Sequence, residues 1–386
     1  MTPPPRVVPW VIAIALAGAA LVWRATSQGA GLSPDSVHYV AAARWLLAGE
    51  GLRSLDGSPL AHFPPLYPIV LAGAAWVSGS DPLDAARWLN AGLFGVLLAL
   101  AGLLAARVGR RTWAAVAAAL VLLVSRDIVL LHAMAWSEPL ALVFGTAGLA
   151  LVARHLETGR LPPLAFAAVG LGLAALARYA SIAHTLAATV GLLWLDRATP
   201  PPRRAVKALA LASVAAAPLA ISWLLAGAGR GLGGRTVDFH PLSRWDVRKA
   251  TAAVLGWVAP PEAPLWVKGV LLTLLTVGIG AAVFRRRAAQ QSASSPLAAI
   301  LLLGAGVYLA FILGCRMTVD AAILFDARIL APAQVLLVIA TMGLVALRVT
   351  APVPTRALAL GGAVLVLLSA HAVSTGRWAR SVSSDG

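Results

Sequence analysis

Apolar runs of roughly 17 to 25 residues, long enough to cross a bilayer as helices, recur along almost the whole chain and leave only short polar connectors between them. That pattern constrains the fold more than any motif does. Inside hydrocarbon every backbone N–H and C=O must be satisfied within the protein, which leaves helices or closed barrels, and runs this long specify helices. With 60% hydrophobic and 12% charged residues, the chain also lies far outside the usage of globular domains. The expected architecture is all-α: a polytopic helical bundle in one membrane-embedded domain over residues 1–386. The single Cys315 excludes an internal disulfide. A net charge of +16 would suggest nucleic acid in a soluble protein, but Lys and Arg on cytoplasmic loops are what orients a helical membrane protein. No nucleic-acid partner is expected.

Spans are expected near 7–23, 89–106, 112–126, 137–153, 161–177, 180–195, 205–226, 266–284, 297–314, 329–347 and 357–373, about eleven in all. Basic clusters stand at Arg107/Arg110/Arg111, Arg154/Arg160, Arg197/Arg203/Arg204/Lys207, Arg285/Arg286/Arg287 and Arg348/Arg356. If all are cytoplasmic, consecutive clusters must be separated by an even number of crossings, and these spans satisfy that each time. The N-terminus is then cytoplasmic. The segment 64–79, "PPLYPIVLAGAAWVSG", is apolar but short, which suits an interfacial or re-entrant helix. Counting it as a span breaks the parity, so residues 24–88 form a first outer loop of short helices lying on the membrane.

With this topology the acids sort sharply. Only Glu157 and Asp196 fall inside, whereas Asp35, Glu138, Asp238, Asp246, Glu262 and Asp326 fall at the outer face beside Arg178, Arg316 and Arg328. Ionisable groups at membrane depth are costly and mark functional sites. In "GLSPDSVHYVAAARWLLAGEGL" (31–52), Ser33 is an N-cap, Pro34 the first helical residue and Gly49 a C-terminal stop. Asp35 therefore sits in the first helical turn, with His38 and Tyr39 on its face. Its carboxylate either complements the helix dipole or serves as a general base, and spacing alone leaves both open.

The runs "PDSVHYVAAARWLLAGEGL", "HFPPLYPIVLAGAAWVSG", "DAARWLNAGLFGVLLALAGLLAARVGRR", "AWSEPLALVFGTAGLALVARHLETGR", "LAALARYASIAHTLA" and "FDARILAPAQVLLVIA", in this order, resemble the polyprenyl-phosphate-sugar glycosyltransferases of the GT-C superfamily. That group includes the dolichyl-phosphate-mannose-protein mannosyltransferases and the bacterial lipid A aminoarabinose transferases. The resemblance covers about residues 7–348. It implies an inverting hexosyl or pentosyl transfer from a polyprenyl-phosphate-linked donor to a lipid, glycan or protein acceptor. It also implies a multi-pass protein of the plasma (inner) membrane, working on the extracytoplasmic side. Carried over by position, Asp35 matches the first-loop acid and Glu138 the second acid of the catalytic pair. Arg178 and Arg328 match basic residues near the lipid phosphate, and His38, Tyr39, His62 and Tyr179 are the further candidates for substrate binding.

Two departures stand out. Ser36 occupies the position of a second consecutive acid in many relatives, and His62 stands before the double proline where others carry lysine. No metal-ligand spacing rises above background, although Asp35 and Glu138 could share a divalent cation as cofactor. The loop 227–265 is long enough to serve as a lid, with Arg244, Arg248 and Lys249 as candidate phosphate contacts. A transporter or flippase for a lipid-linked glycan, or a non-catalytic binder, is the alternative. A transporter should place charges along a path near the midplane, and here the span centres are almost free of charge.

Overall fold

The computed structural model describes residues 7–225, 237–260, 262–273, 295–347 and 374–377. Within them the chain is helical, without a named strand. Six helices are long and apolar enough to cross a membrane: α1 (Val7–Ala25), α4 (Pro82–Gly109), α7 (Glu138–Thr158), α10 (Pro201–Leu225), α12 (Pro296–Thr318) and α13 (Ala327–Ala346). A seventh crossing results if α5 (Thr112–Val124) and α6 (Arg126–Ala133), bent by 65° at Ser125, form one broken span. The expected spans 161–177 and 180–195 are present as shorter apolar helices, α8 (Leu161–Ala177) and α9 (Ile182–Leu195). Of the remaining expectations, 357–373, most of 266–284, residues 227–236 of the long loop, and the basic groups at Arg285 to Arg287, Arg348 and Arg356 lie outside the described residues.

The first loop folds as two short helices, α2 (Pro34–Leu47) and α3 (Leu66–Ser78). Ser33 caps α2 through a capping box with Ser36, Pro34 opens it, and Gly49 follows its end at φ 79°. α3 is 13 residues long and ends at Gly79, whose φ of 65° favours glycine. One boundary differs from the sequence reading. The next helix begins at Pro82 rather than near 89, because Asp81 accepts from the Leu83 N–H at 2.9 Å and Pro82 starts the turn. Asp84 and Arg87 therefore lie on α4 itself, a polar extension that a search for apolar runs passes over.

Packing follows membrane rules, with small residues letting backbones approach. α4 runs against α1, α5, α7 and α13, and α8 packs on α7 and α10. At the crossing of α4 and α13, a Cβ on Gly109 would stand 2.8 Å from the Gly343 carbonyl oxygen, so glycine is required for this approach. Phe94, Leu97, Leu98, Leu122, Leu149, Leu171 and Leu336 fill the main core.

The charge pairs divide between the two ends of α7. Near its C-terminus Glu157 accepts from Arg107 at 2.6 Å and stands 3.7 Å from Arg154. At its N-terminus Glu138 meets Arg178 and Arg328. Nineteen residue steps of α-helix separate these ends by about 30 Å, the thickness of a bilayer core. Beyond the crossings, α11 (Arg244–Gly256) is fixed to the end of α12. Asp246 completes a capping box with Ser243 and takes a two-pronged bond from the buried Arg316, at 2.9 and 3.3 Å. The preceding segment is tied to the same helix end by Asp238 N–H to Thr318 O at 3.0 Å and His240 N–H to Met317 O at 2.7 Å. Helix α11 is thus held by a buried ion pair, and Arg248 and Lys249 lie over the Trp245 ring.

Candidate active site

Four chain segments that are far apart in sequence bring charged side chains to one point. Asp35 comes from the first turn of α2 and Glu138 from the first residue of α7. Arg178 is the residue that ends α8, in extended conformation before a short 3-10 turn. Arg328 is the second residue of α13, a start fixed from both sides: Asp326 accepts from the Ile329 N–H at 2.9 Å, and the Tyr308 hydroxyl donates to the Ile329 carbonyl at 2.8 Å.

Their connections form a chain. Arg178 Nη1 donates to Glu138 Oε1 at 2.6 Å, and Arg328 Nε donates to the same oxygen. Arg328 Nη2 donates to Asp35 Oδ2 at 2.6 Å. The two carboxylates differ in access: the Glu138 side chain is 2% exposed and the Asp35 side chain 33%. Glu138 is enclosed between guanidiniums, while Asp35 is only partly covered. The Arg328 guanidinium occupies the space between the carboxylates that a shared divalent cation would need. Among the described residues no group of three or more His, Cys, Asp or Glu is arranged for a metal.

The segment before α7 is joined to the segment before α2. Gly31 N–H donates to Ala133 O at 2.9 Å, and Ala135 N–H donates to Gly31 O at 2.8 Å. Trp136 Nε1 donates to Ser33 Oγ at 2.7 Å, and its ring lies under Arg328, with the guanidinium carbon 4.1 Å from the ring centre. Tyr39 OH and Ser137 Oγ are 3.1 Å apart. Burial first, and then the charge of Glu138, hold the Tyr39 phenol well above its ordinary range, which keeps it a neutral hydroxyl.

The other sequence candidates are arranged around this centre. His38 Nδ1 is 2.8 Å from Ser54 Oγ, and its ring lies 5.2 Å from Phe63. His62 is exposed and meets the edge of Phe63 at 4.8 Å. Tyr179 OH donates to Ala61 O at 3.4 Å and stands 3.3 Å from Trp223 Nε1. Ser36, the residue at the second-acid position, is fully buried in the capping box. From sequence alone Trp136 and Ser137 receive no role, and Trp223 reads as an aromatic-belt anchor near a membrane interface. Trp136, two residues before Glu138 in "AWSEP", carried a signal in that adjacency, whereas nothing local marks Trp223 as part of the site.

Comparisons with known proteins bear on the family and the fold. The family model described as dolichyl-phosphate-mannose-protein mannosyltransferase matches residues 43–230, just under half of the chain. Among solved structures, ArnT from Cupriavidus metallidurans bound to undecaprenyl phosphate is 15% identical, with a TM-score of 0.59 over 96% of this chain and 76% of that one. The arabinosyltransferase EmbB from Mycobacterium smegmatis is 17% identical, with a TM-score of 0.51 over 87% of this chain and 30% of its own. The archaeal oligosaccharyltransferase AglB from Archaeoglobus fulgidus, in complex with an inhibitory peptide and a dolichol-phosphate, is 13% identical, with a TM-score of 0.52 over 97% and 56%. No protein of curated function matches the chain significantly. The matched family segment contains Glu138 and Arg178 but neither Asp35 nor Arg328, while the fold extends over nearly all of the chain. Over residues 43–230 the chain is thus similar to the dolichyl-phosphate-mannose-protein mannosyltransferase family, and over nearly all of its length it shares the fold of these solved membrane glycosyltransferase structures.

Proposed function

We propose that the chain transfers a sugar from a polyprenyl-phosphate-linked donor to an acceptor hydroxyl at the outer face of the membrane. The observation that carries this reading is the Asp35–Arg328–Glu138–Arg178 chain, which sets one accessible carboxylate beside two fixed guanidiniums. The undecaprenyl phosphate bound to ArnT, which shares this fold, supports a polyprenyl phosphate as carrier here.

Asp35 is the general base: it accepts the acceptor's hydroxyl proton as that oxygen bonds to the anomeric carbon. The bond from the anomeric carbon to the phosphate oxygen breaks, and its electron pair leaves on the phosphate. One displacement inverts the anomeric configuration. The leaving phosphate gains a negative charge, and the N–H groups of Arg178 and Arg328 not used by carboxylates stabilise it. Glu138 acts through the arginines. Its buried carboxylate holds both guanidiniums with their remaining donors in place, which makes it a positioning residue. Two carboxylates and two guanidiniums balance, so the incoming phosphate meets no net negative charge. His38, Tyr39, His62 and Tyr179 shape the surroundings that receive donor and acceptor.

Mass spectrometry of polyprenyl-phosphate lipids from cells with and without the chain tests this reading. Accumulation of a glycosylated polyprenyl phosphate in the absence of the chain supports it, and unchanged lipid carriers contradict it.

A further inference from the structure

We infer that Trp136 is a positioning residue for phosphate recognition: its indole fixes the plane of the Arg328 guanidinium and ties that plane to the helix start carrying Asp35. This inference rests on the proposed role of Arg328 at the donor phosphate.

The geometry supplies the reason. Arg328 is bonded along one edge, through Nε to Glu138 and Nη2 to Asp35. Bonds along one edge leave a planar group free to tilt about that edge. The ring of Trp136, 4.1 Å below the guanidinium carbon, removes this tilt, in the face-on arrangement by which aromatic rings attract guanidinium. Nη1 and the second hydrogen of Nη2 are then aimed in a single direction, as bidentate phosphate binding requires. The indole is itself fixed. Its Nε1 donates to Ser33 Oγ at 2.7 Å, and the same oxygen accepts from the Ser36 N–H at 3.4 Å in the cap of α2. Its backbone continues the strip joined at Gly31, with Trp136 N–H donating to Met134 O at 2.8 Å. One side chain therefore sets base and phosphate ligand relative to each other, across 293 residues of sequence.

The test uses the full chain in detergent and undecaprenyl phosphate as probe, with binding measured by native mass spectrometry. Trp136→Leu is expected to weaken binding by about threefold to thirtyfold, and Trp136→Phe, which keeps a ring face, by less. The decisive arm is the background Arg328→Lys, whose ammonium has no plane to fix. There Trp136→Leu should add no further loss, an outcome that a general loss of packing would not produce. Equal losses in both backgrounds, or native binding by Trp136→Leu, would overturn the inference. If Arg328→Lys and Arg178→Lys each bind the probe as the native chain does, the phosphate reading itself fails, and the role of Trp136 falls with it. The melting temperature of each variant separates these outcomes from unfolding.

Discussion

Arg328 and Asp35 lie 293 residues apart in sequence, and their side chains meet at 2.6 Å. This pair joins the last described apolar helix to the first loop, and Glu138 joins both to the N-terminus of α7. The chemistry proposed for the site depends on the different exposure of the two acids.

Asp35→Asn removes a base while keeping size and the capacity to accept from Arg328. Sugar transfer should fall about a hundredfold to ten-thousandfold, with the melting temperature close to native. A melting temperature that falls along with activity would make Asp35 a structural group.

Glu138→Gln should behave differently. It leaves two largely buried guanidiniums sharing a neutral amide, and breaking a buried ion pair from one side costs about 3–5 kcal/mol. Thermal stability in detergent and activity are expected to fall together. A Glu138→Gln protein that is inactive yet fully stable would assign Glu138 direct chemistry.

Acid should loosen the first loop at a defined place. Arg44 donates to Asp81 at 2.8 and 2.9 Å, and this bond, ahead of the Leu83 N–H, lowers the Asp81 carboxyl below its ordinary value. Because the folded value is depressed, the contribution is complete above the unfolded value of about 3.9 and is lost as pH falls through the folded one. Hydrogen exchange at the Leu83 amide, corrected for intrinsic rates, should show protection at about pH 5 that declines toward about pH 3. Asp81→Asn should abolish this dependence, and protection unchanged over the range would contradict the linkage.

The buried pair between Asp246 and Arg316 should hold α11 in place. Asp246→Ala removes the carboxylate half of the capping box and strands the Arg316 guanidinium, so trypsin should cut sooner at Arg244, Arg248 and Lys249. Cleavage at the native rate would show that the rest of the loop suffices.

Much of the local structure was legible because it is encoded locally. Ser33, Pro34 and Gly49 bounded α2, and the prolines and length of 64–79 indicated a short helix. The start of α4 was missed because Asp81 caps a polar first turn, which hydropathy does not register. Arg178, Arg328, Asp35 and Glu138 were each recognisable by type and position, but their connections were not. A bond between residue 35 and residue 328 depends on how α2 and α13 pack. The same holds for Trp136 beneath Arg328 and for Arg316 on Asp246, 70 residues away. Side chains fixed by contacts between distant helices leave no local pattern to read.

The decisive measurement compares polyprenyl-phosphate lipids, by mass spectrometry, in cells lacking the chain and restored with the native protein or with Asp35→Asn at matched abundance. A glycosylated carrier that accumulates without the chain and with Asp35→Asn, but is cleared by the native protein, is the expected result. Clearance by Asp35→Asn equal to native would reduce Asp35 to a charge at a helix end and contradict its role as the base.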